Sequence, residues 1–152
     1  MNLRFKGKSA IISGGSGGMG LAIANKLIEV KIKTLIIDLK KPPNKILNNK
    51  LISFAKINLT EFTEIKKAIK IFTASTKRVD YLINAAGILM FNEDIGVEKI
   101  NIKVWNRVFD INLTSMVYLL KCVIPFMKKN KYGSIVNISS VDALSGDDKP
   151  QD

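Results

Sequence analysis

The sequence predicts an α/β protein built on a doubly wound parallel sheet. Short, nearly unbroken apolar runs alternate with longer segments of helical period along its 152 residues, the pattern of βαβ crossovers. The runs lack the in–out alternation of a half-solvated strand, as expected when helices cover both faces of a sheet. A glycine cluster sits at the junction of the first run and the first helical segment.

Residues 9–13, Ser-Ala-Ile-Ile-Ser, read as the first strand. Residues 19–30 read as a helix with Leu21, Ile23, Ala24, Leu27 and Ile28 on its apolar side. Residues 34–38 are the second strand, and Pro42-Pro43 forces a loop after it. A third strand is expected over 51–57. Thr60 is placed to cap a helix starting at Glu61, with Phe62, Ile65, Ala68, Ile69 and Phe72 as its stripe. The fourth strand is read at 79–83 and a loop at 87–96. One long helix over about 103–129 follows, with Val104, Val108, Ile111, Ser115, Tyr118 and Leu119 inward and a bend expected at Pro125. The fifth strand is read at 133–139, and residues 146–152 as a polar loop. No repeat and no second-domain boundary interrupts this order, so residues 1–152 read as a single domain.

Composition narrows the chemistry. An apolar fraction of 47% and a mean hydropathy of +0.13 suit a chain that forms a core. No apolar run approaches the roughly 18 residues of a membrane span. There is no secretory signal pattern at the N-terminus, and the single Cys122 excludes an intrachain disulfide, which together suit the cytoplasm. The formal charge is +11. The lysines are scattered without interleaved aromatics, so a solvated surface is favoured over nucleic acid. With no histidine and one cysteine, Ser-His-Asp and Cys-His hydrolysis are excluded and no zinc set exists.

The glycine cluster, Ser13-Gly14-Gly15-Ser16-Gly17-Gly18-Met19-Gly20, enters a helix. Glycines let a backbone approach a pyrophosphate, and a helix N-terminus offers N–H donors and positive dipole. Gly15, Gly17 and Gly20 satisfy G-x-G-x-x-G, while Gly14, Gly18 and Gly20 satisfy G-x-x-x-G-x-G; spacing does not choose between them. No Lys-Ser or Lys-Thr follows, which disfavours a Walker loop. Asp38 ends the second strand 18 residues after Gly20. A carboxylate there accepts hydrogen bonds from adenosine ribose hydroxyls and repels a 2′-phosphate. NAD is therefore preferred over NADP, although Lys40 and Lys41 nearby weaken the exclusion.

Four segments in order make the chain resemble the short-chain dehydrogenase/reductase family. Ser13-Gly14-x-x-x-Gly18-x-Gly20 is similar to that family's Thr-Gly-x-x-x-Gly-x-Gly. Asn84-Ala85-Ala86-Gly87 resembles Asn-Asn-Ala-Gly. Asn112, in Phe109-Asp110-Ile111-Asn112-Leu113-Thr114, matches the helix-four asparagine, and Ser140 matches the catalytic serine. The resemblance implies a Rossmann-type sheet and hydride transfer between a nicotinamide dinucleotide and a secondary alcohol or ketone. It implies that Gly14, Ser16, Gly18, Met19 and Gly20 hold the pyrophosphate and that Asp38 holds the ribose. Asn58 and Leu59 would lie along the adenine, with Asn58 where the family usually has Asp. Asn84, Ala85, Ala86 and Gly87 would line the cofactor. Ser140 would orient the substrate oxygen, and Asn112 would hold a water in a proton relay. A homo-oligomeric parent, dimer or tetramer, is also implied.

The family's acid–base pair, Tyr-x-x-x-Lys, falls at or just beyond Asp152, and no tyrosine follows Tyr132. The expectation is therefore the N-terminal portion of such an enzyme, inactive by itself, with its fifth strand left as an open edge. Two other readings stay in view. One is a non-catalytic dinucleotide-binding protein, and the other is a nucleic-acid binder driven by charge.

Overall fold

The computed structural model describes residues 5–90 and 97–141. In order these form β1 (Ser9–Ser13), α1 (Gly18–Glu29), β2 (Lys33–Asp38), α2 (Asn44–Leu47), β3 (Ile52–Lys56), α3 (Phe62–Thr76), β4 (Tyr81–Asn84), a 3₁₀ turn (Val97–Lys99), α4 (Ile102–Phe109), a π-helical turn (Asp110–Thr114), α5 (Ser115–Asn130) and β5 (Ser134–Asn137). The five strands run parallel in the order β3-β2-β1-β4-β5. The chain winds outward from β1 to β3, then crosses back to place β4 on the other side of β1. The sheet thus has its switch point between β1 and β4, where ligands bind in folds of this type.

Successive side chains of a strand point to opposite faces, and the two faces bury different helices. Ile11, Leu35, Ile37 and Leu82 pack with Ile65, Ile69 and Phe72 of α3 and Leu119, Val123 and Met127 of α5. Ala10, Ile12, Ile36 and Ile83 pack with Ala24 and Leu27 of α1 and Ile46 of α2. The doubly wound class is as expected. β5 departs from the pattern of buried runs: all four of its residues are exposed, and among the described residues it pairs with β4 alone.

Several boundaries differ from the sequence reading. α3 starts at Phe62 with Glu61 at its N-cap, and Thr60 caps nothing. Asn58 shapes the approach to the helix: its side-chain Oδ1 accepts the Thr60 N–H at 3.2 Å and its backbone carbonyl accepts the Glu61 N–H at 2.9 Å. That local turn is one that Asn forms readily. The fourth strand shifts to include Asn84. α2 was not foreseen in the loop after Pro43. The long helix is not uniform: α4 passes through the π turn into α5, which runs on through Pro125 to Asn130. The loop read at 87–96 lies partly, and the tail 146–152 wholly, outside the described residues.

By length and composition alone the segment Ile102–Asn130, with a hydropathy of 1.4, could cross a membrane. Leu119, Val123 and Met127 of this segment bury against the sheet, while Ile102, Trp105, Phe109, Leu113 and Val117 are exposed. Cys122 is half-buried on α5, packed against the same cluster. Burial pushes its thiol up, against the opposing pull of Lys66 and Lys121. A raised thiol holds less thiolate at neutral pH. Cys122 is therefore expected to react with iodoacetamide at pH 7.5 more slowly than free cysteine. Alkylation as fast as free cysteine would contradict this burial.

Candidate functional site

The carboxyl ends of β1 and β4 open onto a cleft of about 650 Å³. Its floor is the glycine turn, and two of those glycines are demanded by contacts. Gly14 has φ +69°, and a Cβ there would lie 2.7 Å from the Ala86 N and Cα atoms. A Cβ on Gly20 would drive into the Gly14 carbonyl oxygen. A Cβ on Gly17 or Gly18 would meet nothing within 4 Å, although Gly18, at φ +49°, shares the left-handed conformation that favours glycine. Both line the open cleft. α1 begins there with no side chain capping its first turn. The Ser16 hydroxyl is buried at the cleft without a partner. Bare backbone, a helix N-terminus and an unpartnered hydroxyl together fit a diphosphate.

Asp38 stands at the cleft's edge. Its Oδ2 accepts the Ser16 N–H at 3.0 Å, and its Oδ1 accepts the Lys40 N–H at 3.0 Å. The carboxylate thus braces the glycine turn against the end of β2 while its residue lines the cavity. Asn58, Leu59, Ala85, Ala86 and Gly87 complete the wall, together with Leu39, Ile57, Ile88, Arg107 and Ile111.

A second cavity, also about 650 Å³, continues from the first through Met19 and residues 85–88 and adds Asn112, Leu113, Met116 and residues 137–140. Ser140 and Asn112 therefore share one chamber. Asn112 sits in the π turn, and both ends of its amide bond the same residue. Its Oδ1 accepts the Ile88 N–H at 2.8 Å, and its Nδ2 donates to the Ile88 carbonyl at 2.9 Å. The Ser115 hydroxyl donates to the Ile111 carbonyl at 2.6 Å and so satisfies a helix carbonyl beside the irregular turn. The Asn112 side chain is committed to holding the cavity wall.

Asn84 lies in neither cavity. It is fully buried at the end of β4, beside Ser13 of β1 and Asn137 of β5, and its Nδ2 donates to Asn137 Oδ1 at 2.7 Å. Of the sequence-predicted residues, Gly14, Ser16, Gly18, Met19, Gly20, Asp38, Asn58, Leu59, Ala85, Ala86 and Gly87 come together in the first cavity. Sequence reasoning did not name Arg107 as a wall residue. Its one signal was the four-residue spacing to Ile111, which puts both on one helix face.

The model of the short chain dehydrogenase family matches residues 8–149. The chain belongs to the short-chain dehydrogenase family. Among curated members, a short chain dehydrogenase of Emericella nidulans is 36% identical over 137 residues, which cover 90% of this chain and 68% of that protein. The asnovolin H dehydrogenase of Aspergillus novofumigatus is 34% identical over 140 residues, covering 90% of this chain and 52% of that protein. Solved short-chain dehydrogenases agree in fold. ElxO with NADP bound superposes with a TM-score of 0.82 at 25% identity, covering 95% of this chain and 59% of that one. A short-chain dehydrogenase of Leptospira borgpetersenii with bound NAD+ superposes at 0.80 with 26% identity, covering 97% of this chain and 59% of that one. The family's cofactors thus include both NAD and NADP. This short-chain dehydrogenase chain spans little more than half the length of several of its relatives.

Proposed function

We propose that this chain forms the dinucleotide-binding part of an NAD-dependent oxidoreductase that interconverts a secondary alcohol and a ketone. The observation that carries the NAD preference is Asp38, whose carboxylate borders the cleft at the end of β2. The N–H groups of residues 18–20 and the Ser16 hydroxyl would hold the pyrophosphate. Asp38 would accept the adenosine ribose hydroxyls and repel a 2′-phosphate. A bound nicotinamide dinucleotide supplies the hydride acceptor or donor. Ser140, in the second cavity, would orient the substrate oxygen. The Asn112 amide bonds the Ile88 backbone, so its part in proton movement would be to fix the main chain around the chamber.

No Tyr-x-x-x-Lys follows Ser140 within the 152 residues. A phenol needs a neighbouring cation to exchange protons near neutral pH. This chain by itself is therefore expected to bind NAD without oxidising alcohols. Calorimetric titration with NAD and NADP tests the reading. NAD is expected to bind more tightly, and Asp38→Ala is expected to weaken NAD by about tenfold while narrowing the gap to NADP. Tighter NADP binding by the unmodified chain would overturn the NAD preference, and steady NADH formation from alcohols would overturn the expected lack of turnover.

A further inference from the structure

We infer that Arg107 grips the adenine end of the bound dinucleotide, its guanidinium plane stacked on the base; this rests on the dinucleotide reading above. Along the continuous helix, Met116 and Asn112 line the chamber that contains Ser140, whereas Ile111 and Arg107 line the cleft that contains Asp38, Asn58 and Leu59. The helix therefore runs past the ligand from the reacting end to the base end, and Arg107 lies a full turn beyond Ile111. The surroundings suit a flat, apolar-faced ligand: Leu39, Ile57, Leu59 and Ile111 share the cavity with Arg107.

Among the described residues no carboxylate forms an ion pair with Arg107. Its placement is secured from elsewhere: the Asn101 side chain caps α4 by accepting the Lys103 N–H at 2.9 Å, and Val104 is buried. An arginine plane stacks on aromatic rings and on bases, which a lysine ammonium cannot reproduce in the same way. The cleft's other cation, Lys40, follows β2 beside Asp38 and offers charge without a plane.

The test measures the affinity of the 152-residue chain for NAD, adenosine and nicotinamide mononucleotide, in the unmodified protein and in Arg107→Ala and Arg107→Lys. Adenosine carries no phosphate, so it separates contact with the base from attraction to the diphosphate. Arg107→Ala is expected to weaken NAD and adenosine by about five- to tenfold and to leave the mononucleotide unchanged, with Arg107→Lys failing to restore the loss. Arg107 is exposed, so both variants should keep the thermal midpoint of the parent. Equal adenosine affinity in parent and Arg107→Ala overturns the inference, as does full recovery in Arg107→Lys. Failure of the unmodified chain to bind NAD at all overturns the dinucleotide reading itself.

Discussion

Replacing Asp80 with alanine is expected to lower the free energy of unfolding by about 2–4 kcal/mol, the cost of leaving backbone donors without the acceptor they have in the fold. Asp80 is fully buried just ahead of β4. Its Oδ2 accepts the Lys8 N–H at 2.7 Å and the Ser9 N–H at 3.1 Å, and its Oδ1 accepts from Arg78 Nε at 2.7 Å and Nη2 at 2.6 Å. Its backbone receives the Ser134 N–H and donates to the Ser9 carbonyl. Alanine would leave two backbone donors without an acceptor where the chain enters β1. Urea denaturation measures the loss; a loss under about 1 kcal/mol would show that solvent replaces these bonds.

The same residue sets a pH dependence. Burial pushes the Asp80 carboxyl up, but the hydrogen bonds from Arg78, Lys8 and Ser9 outweigh it and hold the group below the usual carboxylate range. A carboxyl depressed on folding stabilises fully above its unfolded value, near about 4. That contribution is lost as pH falls through the folded value. Stability should therefore decline in acid below about pH 4, and Asp80→Asn, less stable at neutral pH, should show a flatter acid limb.

The second large effect lies in the glycine turn, where two substitutions of the same size should part company. Gly14→Ala is expected to cost roughly 2–4 kcal/mol, combining a left-handed conformation with an overpacked contact against Ala86. It should also displace the wall that both cavities share and reduce NAD affinity by more than about tenfold. Gly17→Ala should behave differently. Gly17 has φ −153°, an extended conformation open to any residue, and its Cβ would meet nothing in the protein. Its stability should change by no more than about 1 kcal/mol, while a methyl group in the cleft displaces the ligand. Thermal melts with NAD titrations check the pair. Unchanged NAD affinity in Gly17→Ala would place the pyrophosphate elsewhere.

Periodicity made the sheet legible because each strand is an apolar run and each long helix carries a stripe. It could not show α2, whose four residues from Asn44 to Leu47 are too few to display a period. Nor could it show the π turn, a single-turn irregularity too local to stand out as a change of period. The cap expected at Thr60 does not form: the helix starts one residue later, with Glu61 at its N-cap and no side-chain cap bond. The glycine turn and Asp38 were readable because phosphate and ribose recognition impose residue types at fixed spacing. Arg107 was not, because its place in the cleft depends on where the fold carries α4.

Ser13, Asn84 and Asn137 stand side by side across β1, β4 and β5. Sliding β5 by one residue would set Val136 or Ile138 opposite Asn84 and strand its amide in a dry interior, a cost of about 1–3 kcal/mol. This polar rung thus acts as a registry key for a strand whose exposed faces supply little packing of their own. It also marks the level at which the apolar interior ends, so that one row of polar side chains both aligns the strands and sets the height at which the ligand cleft begins.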